Sequence, residues 1–231
     1  MALACGDVKC NRIIHFRAKA SEGSKKHPVI EGYHNVNVTS GNQGRWGALS
    51  PMKLGPFYLV EQLKPLPMYP EGVHPGFEKY SDKQRALVYN LENCWQFSKI
   101  YDIDVVNGIV QPSFFQRRAK GFGDSSPHRR ALPKAKATAV AAYWDGKLYD
   151  YQSSRYYYCS LYDQLARMTA AYADLELLYK NGTNLQILGY DGRDVEVTES
   201  SMKTAYMDTT CPFGHELVLC CMLKGYKPWL D

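Results

Sequence analysis

The segment Asn90-Leu91-Glu92-Asn93-Cys94-Trp95-Gln96-Phe97-Ser98-Lys99 sets a carboxylate, an amide and an ammonium at helical spacing beside a tryptophan. With Leu91 at zero and about 100° per residue, Glu92, Gln96 and Lys99 fall near 100°, 140° and 80°, while Cys94, Trp95 and Ser98 lie within about 60° of zero. The charged strip therefore borders the apolar face instead of opposing it. Partial desolvation at such a border disfavours the charged form of a carboxylate and a neighbouring ammonium favours it, a setting suited to acid-base chemistry at Glu92. The competing expectation is an ordinary amphipathic helix whose charges are solvated. Trp95 is expected to pack inside more than to stack on a ligand.

A basic tract forms the second chemical feature. Residues 117–136 hold Arg117, Arg118, Lys120, Arg129, Arg130, Lys134 and Lys136 against Asp124 alone. The paired N–H donors of arginine suit phosphate groups, so Arg117, Arg118, Arg129 and Arg130 are candidates to grip a phosphate-bearing ligand, with a solvated basic surface as the alternative. Metal chemistry is not expected: Cys5, Cys10 and His15 give a C-x4-C-x4-H spacing that lacks a fourth ligand, and Cys211 and His215, one turn apart, read as incidental. Cys94 is placed facing the core, away from a nucleophile's position. The chain has no Walker phosphate loop, no G-x-S-x-G elbow and no dinucleotide-binding glycine fingerprint, and no cofactor is expected.

At 231 residues and 45% apolar content the chain is globular and long enough for a sizeable core. Its formal charge of +5 supports affinity for phosphate without requiring nucleic acid. Seven cysteines, with Cys220 and Cys221 adjacent, fit reduced thiols better than a disulfide framework. Without an apolar run of about 18 residues or a signal-like start, the expectation is a cytoplasmic protein with no membrane partner, in the host cytoplasm if viral. The 18 tyrosines, dense between Tyr143 and Tyr162, suit strands and half-buried surfaces before ligand stacking.

The elements that must position these residues are read from periodicity and punctuation. A flexible start over 1–11 leads into a strand at Arg12–Arg17, and a second strand is expected over Tyr33–Thr39 and a third over Pro56–Val60. The Pro- and Gly-rich stretch near 61–80 reads as an insertion or lid. Ser81 and Asp82 are placed as caps of a helix reaching Tyr101. Residues 112–123 form a short helix, Ala131–Ala142 reads as helical past Pro133, and Trp144–Tyr149 as a turn into a strand. Leu161, Leu165, Met168, Tyr172, Leu175 and Tyr179 describe one helix stopped by Asn181-Gly182. A buried strand at Leu185–Leu188, an alternation at Val195 and Val197, and a last helix from Pro212 to about Lys224 complete an α+β fold, mainly helical, in one compact domain over 12–231.

Taken in order, several motifs resemble the NADAR family, small proteins that hydrolyse N-glycosidic bonds of nucleotide-derived substrates. The family's early Ile-Ile-x-Phe strand and Ser-Asn-Phe loop are matched by Ile13-Ile14-His15-Phe16 and Leu49-Ser50-Pro51-Met52, with Pro51 in place of asparagine. Its signature Ser-Glu-His-Tyr-aromatic-Gln-Ala-x-Lys is matched by 91–99 at Glu92, Trp95, Gln96 and Lys99 with unchanged spacing. Arg118-Ala119-Lys120-Gly121-Phe122-Gly123, Gly189-Tyr190-Asp191-Gly192-Arg193-Asp194 and Pro212-Phe213-Gly214-His215-Glu216-Leu217 follow in corresponding order. The family's loop tryptophan and its asparagine at the last helix are absent, and an insertion separates Ser50 from Glu92.

The resemblance implies a NADAR-like fold and cleavage of a ribosyl C–N bond through an oxocarbenium-like transition state. Glu92 would then activate water or stabilise the cation, Gln96 fix the water or a sugar hydroxyl, and Lys99 hold the charge state or meet a phosphate. Asp191 or Asp194 would assist the leaving base, and Ser50, Trp95, Tyr190 and Gly214 would contact substrate, Gly214 at a helix N-terminus suited to anions. The expected ligand is a ribosylated or ADP-ribosylated nucleobase, nucleotide or nucleic acid. The alternatives are a catalytically inactive nucleotide- or nucleic-acid-binding accessory protein of viral or phage type, and a structural or assembly protein.

Overall fold

The computed structural model describes residues 11–18, 30–58, 60–61, 64–65, 87–132, 137–144 and 147–230. In chain order these hold β1 (Ile13–Arg17), β2 (Tyr33–Asn37), β3 (Phe57–Tyr58), β4 (Val60–Glu61), β5 (Lys64–Pro65), β6 (Leu87–Val88), α1 (Leu91–Ser98) and β7 (Lys99–Tyr101). Next come β8 (Val105–Val106), β9 (Ile109–Val110), α2 (Pro112–Phe122), β10 (Ala139–Trp144), β11 (Lys147–Tyr149), α3 (Tyr151–Arg167) and α4 (Ala170–Lys180). The chain ends with β12 (Asn184–Gly189), β13 (Val195–Glu196), α5 (Glu199–Met207) and α6 (His215–Lys224). The fold is mixed α+β, and it divides into two compact units: the described residues up to Ser50 with those from Ala166 onward, and Pro51–Leu165.

The first unit is built on a four-stranded sheet of order β13-β1-β12-β2, in which β12 runs parallel to both β1 and β2 and β13 is antiparallel to β1. Parallel strands sit inside, and Ile13, Leu185, Ile187 and Leu188 are fully buried accordingly. Helix α6 packs on β1 and β12. Its residues from His215 to Leu223 are all buried, and it stops where Gly225 takes a left-handed φ of 77°. A 3-10 turn at Arg45–Leu49 packs on α4 and ends at the buried Ser50.

The second unit centres on an antiparallel sheet of order β11-β10-β7. Ile100, Val110, Phe114, Phe115 and Tyr143 form its core. Helices α1 and α2 pack together, and they approach so closely that a β-carbon on Gly121 would stand 2.2 Å from the Phe97 ring. Asn107 and Gly108, both at positive φ, turn the β8–β9 hairpin, as their sequence predicts.

Three expectations are corrected, and one further helix is added. The helix carrying Glu92 does not span 81–101: Leu87–Val88 pairs with Phe57–Tyr58, Asn90 caps the helix by accepting from the Asn93 amide at 2.8 Å, and Lys99–Tyr101 pairs with β10. Ser81 and Asp82, most of the Pro-rich stretch, and residues 1–10 lie outside the described residues. Ala139–Trp144 is a strand, because pairing on both edges with β7 and β11 overrides alanine's helical preference. The single helix through Met168 is two. Thr169 caps α4 by accepting from the Tyr172 amide, and Met168, placed in the buried stripe, is 84% exposed at the break. Helix α5, capped by a Thr198–Ser201 box, was not anticipated at all.

Candidate functional site

In the second unit the strip exists as drawn, though on a shorter helix. Gln96 Nε2 donates to Glu92 Oε1 at 3.0 Å, and Lys99 Nζ donates to Gln96 Oε1 over a long 3.4 Å. Lys99 thus reaches Glu92 through the amide, and its bond decides which end of the amide faces the carboxylate. Glu92 is half-buried and bonds to no other described side chain. The Lys99 ammonium also lies 4.8 Å from the Trp95 ring centre. Trp95 is half-buried against Tyr158 at 4.9 Å, Tyr151 at 6.0 Å and Trp144 at 6.4 Å, the last stacked at 26°. An aromatic wall therefore stands beside the carboxylate. The Cys94 thiol is fully buried and pushed far up by that burial, so it is no nucleophile.

The four arginines part company. Arg130 gives two bonds to Asp104, Nη1 to Oδ2 at 2.5 Å and Nη2 to Oδ1 at 2.7 Å, and Arg117 bonds to the same Oδ1. Arg118 is completely buried, its guanidinium 4.4 Å from the Phe122 ring and 4.8 Å from Tyr143. Arg118 and Arg130 are thus buried within the fold, whereas the Arg117 side chain stays partly exposed beside Asp104. Arg129 is exposed and pairs with no described residue.

In the first unit the loop after β12 is fixed at almost every residue. Arg17 Nε donates to the Tyr190 carbonyl, the Arg17 amide to Asp194 Oδ1 at 2.7 Å, and His15 Nδ1 to the Arg193 carbonyl at 2.8 Å. Gly192 carries the left-handed φ of 79° that the turn needs. Asp194 is therefore occupied as an acceptor for the Arg17 amide. The Asp191 amide donates to Glu216 Oε1 at 2.5 Å, and Glu216 is fully buried. His215 Nδ1 lies 3.0 Å from Glu216 Oε2, while His215 Nε2 donates to the Val38 carbonyl at 2.9 Å.

Gly214 and Gly189 are glycines for one reason. A β-carbon on Gly189 would stand 2.2 Å from Glu216 Oε1, and one on Gly214 would stand 2.4 Å from Oε2 and 2.6 Å from the Asp191 β-carbon. Gly214 thus makes room for two carboxylate side chains of the chain itself, a structural role where substrate contact was expected. Tyr190 and Asp191 are half-buried on this loop. Ser50 is fully buried and closes the 3-10 turn by donating its amide to the Gly47 carbonyl.

Sequence reasoning passed over Asp104 and Glu216, each of which organises one of these groups, and over Asn93, which bonds to the Asp124 and Ser126 carbonyls and the His128 amide. Asp104 and Glu216 look like any acidic residue until their cations, amides and glycines are brought to them by the fold. Among the described residues no three His, Cys, Asp or Glu side chains gather as metal ligands. Compared with family models, with curated proteins and with solved structures, the chain finds no match in any of the three.

Proposed function

We propose that this chain hydrolyses an N-glycosidic bond in a ribosylated or ADP-ribosylated nucleobase, nucleotide or nucleic acid, with Glu92 as its central acid-base and electrostatic group. The observation that carries the reading is the ordered chain Lys99–Gln96–Glu92 beside the Trp95 wall. One carboxylate oxygen is held by the amide and the other remains for chemistry. As the C–N bond breaks, positive charge grows at the anomeric carbon, and a fixed carboxylate stabilises it without having to reorganise. Water adds to that carbon and gives its proton to Glu92, while the electron pair of the broken bond leaves with the base. The half-buried indole of Trp95 supplies an apolar wall for a sugar or base. Arg129, exposed, is the arginine of the tract we assign to a phosphate of the substrate.

The NADAR resemblance supports the same reaction, since its signature falls on the four residues the helix brings together. Incubation with ADP-ribosylated DNA, ADP-ribose and ribosylamines, followed by chromatography of the released base, tests it. Glu92→Gln should lower kcat about a hundredfold or more on the substrate that is turned over, with KM nearly unchanged. Full activity of that variant would remove Glu92 from the mechanism.

A further inference from the structure

A base that departs as an anion needs a proton, and the Glu92 carboxylate is engaged with the water. We propose that His128 is the acid that protonates the leaving base, an assignment that rests on the reading of Glu92 above.

The ring is held in one orientation. Its Nδ1 faces the Ser126 carbonyl at 2.8 Å, and because a carbonyl only accepts, Nδ1 carries a hydrogen. Nε2 is the nitrogen left to exchange protons, and it bonds to no described residue. The Asp124 carboxylate lies 3.9 Å from Nδ1 and is the charge partner of the ring's cationic form. The imidazole is 41% exposed, open enough to reach a ligand, and its edge rests on Phe97 with centres 5.2 Å apart.

The segment carrying His128 is tied to the helix of Glu92 by Asn93. Asn93 Nδ2 donates to the carbonyls of Asp124 and Ser126, both at 3.0 Å, and Asn93 Oδ1 accepts from the His128 amide at 2.9 Å. Around α1, with Glu92 at zero, Gln96 lies at about 40°, Asn93 at about 100° and Phe97 at about 140°, whereas Trp95 lies about 60° the other way. The strip thus runs between the aromatic wall on one flank and the His128 segment on the other. An angle of 100° on a helix about 10–12 Å across separates the Glu92 and Asn93 side-chain directions by roughly 8 Å.

In the step, the C–N pair passes to the base nitrogen, which takes the Nε2 proton. Water oxygen bonds the anomeric carbon and its proton goes to Glu92. Exchange with solvent then returns His128 and Glu92 to their starting forms, so one water is consumed and nothing else.

The test compares two leaving groups. ADP-ribosylated guanine in DNA releases an amine that requires a proton, while nicotinamide mononucleotide releases a neutral pyridine that does not. His128→Gln and His128→Ala should each lower kcat on the DNA about a hundredfold, with KM within about twofold, and leave nicotinamide mononucleotide cleavage at the parent rate. Added imidazole should restore part of the lost rate in His128→Ala. A loss equal for both probes, or for neither, overturns the assignment, and melting curves check that both variants are folded. Glu92→Gln should slow both probes; if it slows neither, the Glu92 reading fails whatever His128 does. A parent chain that cleaves neither probe overturns both.

Discussion

Asp104 is completely buried, yet it accepts from Arg130 twice, from Arg117, and from the Tyr101 amide at 3.0 Å. Burial by itself would raise its carboxyl, but the bonds from Arg130 and Tyr101 and the charges of Arg130 and Arg117 outweigh it and hold the group below the ordinary carboxylate range. A carboxyl depressed in the native state stabilises the fold at pH above its unfolded value, about 3.9, and that contribution is lost as pH falls through the native value. Urea midpoints should therefore be insensitive to Asp104 titration near neutrality and decline on the acid side. Asp104→Ala strands a buried arginine and should cost about 3 kcal/mol at pH 7, while flattening part of the acid-side decline. Parallel pH profiles for parent and variant would mean that the clamp is not what holds this carboxyl down. The same clamp explains why Arg130, promising as a phosphate ligand by type, is consumed by the fold.

At the scale of elements, what could be read from the sequence was local. The β1, β12 and α2 spans, the Asn107-Gly108 turn and the α6 stripe follow from alternation, Pro at a helix start and buried leucines, all set by neighbours within a turn or two. The Glu92 strip was legible for the same reason, since Glu92, Gln96 and Lys99 are at most seven residues apart. What escaped depended on distant partners. Ala139–Trp144 becomes a strand only because Lys99–Tyr101 and Lys147–Tyr149 flank it, and the roles of Glu216, Gly189 and Gly214 emerge only when β12 meets α6. Asn93 is the sharpest case: a polar residue on a helix, invisible in composition, yet completely buried and bonded three times to the 124–128 segment. Asn93→Ala leaves two carbonyls and the His128 amide without these partners. At about 1 kcal/mol per bond the loss should be about 2–3 kcal/mol, seen as a lower urea midpoint with an unchanged slope. Hydrogen exchange at the His128 amide should quicken in the folded variant, and an unchanged rate would mean that the segment holds its place without Asn93.

For the whole molecule, the +5 charge and the basic tract invite a nucleic-acid-binding reading, and the disposition of the tract limits how strong such binding can be. Each phosphate neutralised by a cation contributes about 0.9 to the slope of log affinity against log salt on duplex DNA, so seven exposed cations would give a slope of about −6. Arg117 and Arg130 share the single negative charge of Asp104, which leaves one net cation with Arg117 partly exposed, and Arg118 lies under aromatic rings inside the fold. Lys120 and Arg129 are the exposed cations of the tract among the described residues, with Lys134 and Lys136 outside them. Even with all four and the one net cation of the Asp104 trio engaged, the slope from this tract should be no steeper than about −4.5. Fluorescence anisotropy of labelled duplex DNA over a salt series measures it, and Arg129→Ala should make the slope shallower by about 1. A slope near −6 that is unmoved by Arg129→Ala would place nucleic-acid contacts elsewhere and favour a binding protein over a hydrolase. A shallow slope that responds to Arg129 fits a single phosphate held next to a bond to be cut, because a hydrolase needs its substrate fixed at one sugar and gains nothing from gripping a long backbone.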